Sequence, residues 1–163
     1  VENFSLSFTN SAKDVLQIRE IIGNNTNLIS KIESIKGVLN LEEILPIVDQ
    51  ILIDRGDLSR EVSIEKIPFI QRRIISYATL KDTPVYVATN LLESMIKSAS
   101  PTRAEANDVA STLLMGASGL VLAAETAIGD YPIDSVEMIN RIIKEYNRWT
   151  TESSFKEIIF QDD

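Results

Sequence analysis

The sequence contains no cysteine and no histidine. The first absence excludes disulfides and thiolate metal sites. The second excludes histidine-ligated zinc and any Ser-His-Asp or Cys-His arrangement within the chain. Acid–base or metal chemistry therefore falls to carboxylates, lysine, tyrosine and hydroxyls. Basic residues are also short, 16 against 24 acidic ones, for a net charge of −8. That balance argues against nucleic acid or an anionic membrane as the main partner, while leaving room for a local cationic pocket. No apolar run approaches membrane-spanning length and no leader pattern is visible, so no membrane partner and a cytoplasmic protein are expected. The chain starts at Val1 rather than methionine, as a processed or excised chain would.

What is present is a chain of 163 residues, enough for one domain with a real core. Its centre is the run Gln50-Ile51-Leu52-Ile53, followed at once by Asp54-Arg55-Gly56-Asp57-Leu58. The apolar, β-branched run predicts a strand buried on both faces, which delivers its last residues to one end of a sheet. An earlier run, Leu28 to Glu33, ends in a carboxylate with Lys31 two residues before it. Neighbouring parallel strands would set Glu33 and Asp57 side by side at the ligand-binding end of an α/β fold. Two hard oxygen ligands beside an ammonium suit a divalent cation and an anionic substrate.

The remaining pattern is a repeated β-α alternation. Strands are expected at Asn3 to Phe8, Val85 to Thr89 and Gly119 to Ala123. A helix starting at Ser11 carries the stripe Val15, Leu16, Ile18, Ile21 and Ile22 and stops at Gly23. A short helix around Leu41 to Leu45 is expected to be capped by Asn40. Ile64 to Leu80 is amphipathic, with Pro68 tolerable only in its first turn. Thr102-Arg103-Ala104-Glu105 has capping-box spacing, and its helix is expected to bury Val109, Ala110, Leu113 and Leu114. A last helix runs from Ile133 to about Trp149, and Thr150 to Asp163 reads as a tail or connector with an apolar patch. Strand ends then fall at Phe8, Glu33, Asp57, Thr89 and Glu125. Five units are too few to close a barrel, which takes about 250 residues.

Several segments together carry a resemblance. They are Leu6-Ser7-Phe8, Lys31-Ile32-Glu33, Arg55-Gly56-Asp57-Leu58, Ala88-Thr89-Asn90-Leu91-Leu92-Glu93-Ser94-Met95, Ser100-Pro101-Thr102-Arg103-Ala104-Glu105 and Glu125-Thr126-Ala127-Ile128-Gly129-Asp130-Tyr131-Pro132. In this order and spacing the chain resembles the pyruvate kinase family, over nearly its whole length. The resemblance implies a partial (β/α)8 barrel of the phosphoenolpyruvate/pyruvate-binding type, strands four to eight. Residues 1–149 would form it and residues 150–163 would be the tail or connector. It implies Mg²⁺- or Mn²⁺-dependent phosphoryl transfer between phosphoenolpyruvate and ADP, giving pyruvate and ATP. Potassium would also serve, with its ligands outside this chain, and no nucleotide half of the site is recognisable here. Glu33 and Asp57 look like the metal carboxylates and Lys31 like the catalytic lysine. Gly56 and Asp57 look like the amides that hold the keto-acid carboxylate. Thr89 looks like the hydroxyl near the carbon that is protonated.

The residues also admit plainer roles. Lys31 taken alone is a strand-end lysine reaching to water. Ion pairs of Glu33 and Asp57 with Lys31 and Arg55 are the plainer alternative, and the metal reading leads because adjacent acids repel unless a cation joins them. Arg55 reads as a structural ion pair beneath the loop, and Glu125 as either a brace or a lining residue. Five positions depart from the family pattern: Asp54, Ser59, Asn90, Ala123 and Ala124. Asp54 either adds a charge beside the metal or turns away, and Ser59 would stiffen or block the carboxylate cradle. Two other functions fit the residues. One is a metal-dependent lyase or enolising enzyme on pyruvate or oxaloacetate. The other is a non-catalytic subunit or module of a split or degenerate barrel, completed by a partner chain or by self-association.

Overall fold

In the computed structural model, which describes residues 1–160, a five-stranded parallel sheet runs in chain order. The strands are β1 (Asn3–Leu6), β2 (Asn27–Ile32), β3 (Gln50–Asp54), β4 (Val85–Ala88) and β5 (Gly119–Val121). Among the described residues each pairs with its sequence neighbours, in the order β1-β2-β3-β4-β5. Between them lie α1 (Ala12–Ile22), α2 (Ile35–Leu39), α3 (Leu41–Ile44), α4 (Arg55–Glu61), α5 (Ile67–Thr79) and α6 (Arg103–Leu114). After β5 come α7 (Ala124–Ala127), α8 (Pro132–Arg148) and α9 (Phe155–Phe160). This is the α/β arrangement of consecutive βα units that the alternation predicts, part of a barrel wall. The end of the expected tail, residues 161–163, lies outside the described residues.

Period-two alternation sorts the strand residues onto two faces. Leu28, Ile32, Ile51, Ile53, Val85 and Val87 are buried, packed against Val15, Ile44, Ile74 and Ile75 from the helices. The opposite face carries Ile29, Lys31, Leu52 and Tyr86, all half-exposed. The expectation that the central strand is buried on both faces is therefore corrected: helices cover only one of them. On the half-exposed face the Tyr86 ring lies over Gly119, where a Cβ would come within 2.4 Å of it. A second core of Leu91, Leu92, Met95, Val109, Leu113 and Ile139 packs beneath the segment that follows β4.

Several boundaries differ from the sequence reading. β1 stops at Leu6, because Phe8 takes a left-handed backbone at φ 49°. The stripe on α1 is narrower than expected: Leu16 and Ile21 are exposed. On α6 it is Thr112, not Leu114, that is buried, and Leu114 is 74% exposed. Helix α2 was not expected, since Gly37 and β-branched Ile35 and Val38 favour helix weakly. It is started by Ser34, whose hydroxyl accepts the Gly37 amide at 3.0 Å. Asn40 occupies the N-cap position of α3 without capping it; its side chain donates instead to the Asn10 carbonyl.

Other expectations are met locally. Ser11 caps α1 and Gly23 closes it at φ 75°. Pro68 lies in the first turn of α5 and Pro132 in that of α8. Thr102 and Glu105 form the capping box of α6.

Candidate active site

The ends of β2, β3 and β4 meet at one point. β2 aligns Lys31 with Leu52 of β3, and alternation puts Lys31 and Glu33 on the same side. Asp54, two residues beyond Leu52, falls on that side too and is paired in register with Ala88. Asp57 sits in the first turn of α4, which starts directly after β3. Glu33, Asp54 and Asp57 each place one carboxylate oxygen within 4.8 Å of the others.

Glu33 is 1% exposed. Its Oε1 accepts the Phe8 amide at 2.6 Å. Its Oε2 lies 2.8 Å from Lys31 Nζ as an ion pair, yet this buried oxygen has no well-directed hydrogen bond. Lys31 Nζ is also 3.0 Å from Asp54 Oδ2. Burial works against the Lys31 ammonium, but its close pairing with the Glu33 and Asp54 carboxylates outweighs it. Its pKa is therefore raised above the ordinary 10.5, and the side chain is a fixed cation at neutral pH.

Asp54 thus turns inward, which settles the orientation that its sequence position left open. Its Oδ1 lies 3.3 Å from Thr89 Oγ1, the donor, and 3.5 Å from the Asp57 amide. Thr89 Oγ1 in turn accepts the Gly56 amide at 2.7 Å. Thr89 and Asn90 both have left-handed backbones, at φ 70° and 53°. For a β-branched residue such as Thr89 that conformation is strained, and strain of this kind gathers at functional sites.

Arg55 holds this turn from below. Its guanidinium donates to the Thr89 carbonyl at 2.8 and 3.2 Å and to the Asn90 carbonyl at 3.2 Å. It also pairs with Asp108 at 2.7 Å. It makes this structural pair as the sequence indicates. Asp57 pairs instead with exposed Arg60, at 3.3 Å. Glu125, 1% exposed, braces two strand ends by accepting the Leu92 amide at 3.0 Å and the Ala123 amide at 2.9 Å. The Ser59 hydroxyl is turned back onto the Gly56 carbonyl at 2.7 Å.

The donor set fits a hard divalent ion. Three carboxylates and one ammonium leave an excess of negative charge in a small volume. Two like charges at this separation repel by roughly 1–4 kcal/mol, depending on the local dielectric. An all-oxygen set suits magnesium or manganese rather than a thiophilic metal. Glu33 and Asp57, singled out from sequence, are brought together with Lys31 and Thr89. Sequence reasoning missed the Phe8 amide on Glu33 and left the direction of Asp54 open. The second follows from alternation once Lys31 and Leu52 are known to be neighbours.

A groove of about 610 Å³ lies elsewhere, on the helix side, lined by Val38, Leu41, Phe69, Ile70 and Tyr77 among others. None of the site residues lines it. Among the described residues no helix is long and apolar enough to cross a membrane.

Comparison with known proteins points to one family. Residues 1–136 match the family model described as pyruvate kinase, barrel domain. The chain is similar to pyruvate kinase from Thermotoga maritima, 43% identical over 148 residues that cover 89% of this chain and 32% of that protein. Similarity to the Dictyostelium discoideum pyruvate kinase is 46% over 148 residues, covering 89% of this chain and 29% of that protein. For the Mycobacterium tuberculosis pyruvate kinase it is 42% over 146 residues, covering 88% and 31%. The chain spans about a third of the length of these curated relatives.

Proposed function

The chain belongs to the pyruvate kinase family, and from that membership we propose that it carries the metal and keto-acid part of a site for phosphoryl transfer between phosphoenolpyruvate and ADP. The observation behind this reading is the meeting of Glu33 and Asp57 beside Lys31 at the ends of neighbouring parallel strands. We assign residues 1–149 to the barrel portion, residues 150–163 to the connector, and the protein to the cytoplasm.

Glu33 and Asp57 would hold Mg²⁺ or Mn²⁺. When bound, that ion supplies Lewis-acid polarisation of the keto oxygen. The protein's own groups do the rest. Lys31, held as an ammonium by its two acidic neighbours, balances negative charge on a transferring phosphoryl group or on the developing oxyanion. The Gly56 and Asp57 amides orient the substrate carboxylate. At Gly56 that carboxylate has to displace the Thr89 hydroxyl, which accepts this amide in the free chain. Thr89 is then released to face the substrate carbon that gains a proton. Arg55 and Glu125 keep the strand ends in place and touch no reacting atom.

A second reading is a metal-dependent lyase or enolising activity on pyruvate or oxaloacetate. It is favoured by the fact that every group it uses lies among Lys31, Glu33, Asp54, Asp57 and Thr89. The experiment common to both readings follows the methyl protons of pyruvate in deuterated water by NMR. Exchange that requires Mg²⁺ and is lost in Lys31→Met supports the keto-acid site. An absence of exchange at saturating metal contradicts it. ATP formation without an added partner would show a complete phosphotransferase.

A further inference from the structure

We propose that Asp54 is a third carboxylate for the divalent cation, beside Glu33 and Asp57. The proposal rests on the reading above, in which Glu33 and Asp57 hold that ion; the resemblance assigns no role to Asp54.

Asp54 is buried, 8% exposed, at the last position of β3. A carboxylate there needs a reason. Capping α4 is a weak one, because the cap contact to the Asp57 amide is 3.5 Å, the outer limit of a hydrogen bond. An uncharged asparagine or serine would cap as well. Neutralising Lys31 is also insufficient, since Glu33 already does so at 2.8 Å. A shared cation accounts for the charge that remains.

The geometry allows it. Two oxygens bound to one Mg²⁺ at about 2.0–2.1 Å lie at most about 4.2 Å apart, so oxygens slightly farther from one another converge on one ion by small side-chain rotations. One oxygen from each of Glu33, Asp54 and Asp57 lies within 4.8 Å of the others. An independent observation points the same way. Glu33 Oε2 is fully buried with no hydrogen bond to satisfy it, and only the Lys31 charge nearby. An ion in this cluster would satisfy it. Three carboxylates stand against the Lys31 ammonium and the exposed Arg60 guanidinium on Asp57, which leaves a net negative charge that favours a cation here. Sharing Asp54 with the ion loosens its hold on Lys31.

The test is calorimetric titration of the chain with Mn²⁺ and Mg²⁺, with no organic ligand present. Asp54→Asn removes the charge and keeps a capping side chain; circular dichroism and a thermal melt verify that it folds. If it does not fold, Asp54→Ser carries the same test. The expected result is one ion per wild-type chain, and affinity reduced about tenfold or more in the Asp54 variant. Glu33→Gln run alongside separates the two levels of the argument. Asp54 variants that bind as tightly as wild type, while Glu33→Gln binds weakly, overturn the role of Asp54 and leave the Glu33–Asp57 pair standing. A wild-type chain that binds neither ion overturns both.

Discussion

Thr89 Oγ1 accepts the backbone amide of Gly56 at 2.7 Å, tying the residue after β4 to the first turn of the helix after β3. One hydroxyl thereby links two strand ends at the site, alongside the Arg55 contacts to the Thr89 carbonyl. Gly56 is small for the same reason: a Cβ there would come within 3.2 Å of Thr89 Oγ1 and 3.4 Å of Asp54 Oδ1.

Removing that hydroxyl leaves the Gly56 amide without its partner. Thr89→Ala is expected to lower stability by about 1–2 kcal/mol. Thr89→Ser keeps the hydroxyl and sheds the β-branch at a left-handed position, so it should stay within about 0.5 kcal/mol of wild type. Urea denaturation midpoints measure both. Equal losses in the two variants would show that the hydroxyl is not the tie.

Arg55 serves two carbonyls and one carboxylate at once. Arg55→Met should cost about 2–3 kcal/mol, because charge-assisted bonds are lost together. Arg55→Lys should recover only part, since a lysine lacks the planar fork that reaches Asp108 and the Thr89 carbonyl together. Chemical denaturation of the two variants is the check, and full recovery by lysine would contradict the fork argument.

The pH dependence can be assigned a sign at Glu105. Burial pushes its carboxyl up, but hydrogen bonds from Ser94 and Thr102 outweigh that and hold the pKa below the ordinary 4.5. A depressed folded-state pKa stabilises the protein above the unfolded value. That contribution is lost as pH falls below 4.5 and through the lower folded value. Asp49 behaves alike, with burial opposed more strongly by the Leu28 amide and Arg19. Thermal melts from neutral pH down to acid should show stability falling, and Glu105→Gln should flatten part of the slope. A slope of opposite sign, or one unchanged in the variant, would rule this assignment out.

Much of the fold was legible because parallel strands announce themselves as apolar, β-branched runs ending in polar residues. Leu28 to Glu33 and Gln50 to Asp57 show this pattern, and it is enough to bring Glu33, Asp57 and Lys31 to one sheet end. The rest was hidden for identifiable reasons. Apolarity does not say which side of a helix is covered, so Leu16, Ile21 and Leu114 were assigned to a core that leaves them exposed. Phe8 gave no sign of its left-handed turn, which aims its amide at Glu33. Asp54 needed the β2–β3 register before its side could be known.

The isolated chain should not make ATP from phosphoenolpyruvate and ADP, since the roles proposed for Lys31, Glu33, Asp57 and Thr89 cover a metal and a keto acid and assign no residue to a nucleotide. A coupled luciferase assay tests this directly. Robust, magnesium-dependent ATP formation by the purified chain would show that nucleotide is bound by residues assigned no such role above.

The central claim is that acidic groups from neighbouring strand ends share one ion next to Lys31. Paramagnetic broadening of backbone amide signals by substoichiometric Mn²⁺ locates that ion without relying on turnover. The expected result is broadening centred on residues 31–33 and 54–57, abolished in a Glu33→Gln, Asp57→Asn double variant. Broadening spread over the acidic surface, or centred elsewhere and untouched by those substitutions, would contradict the account.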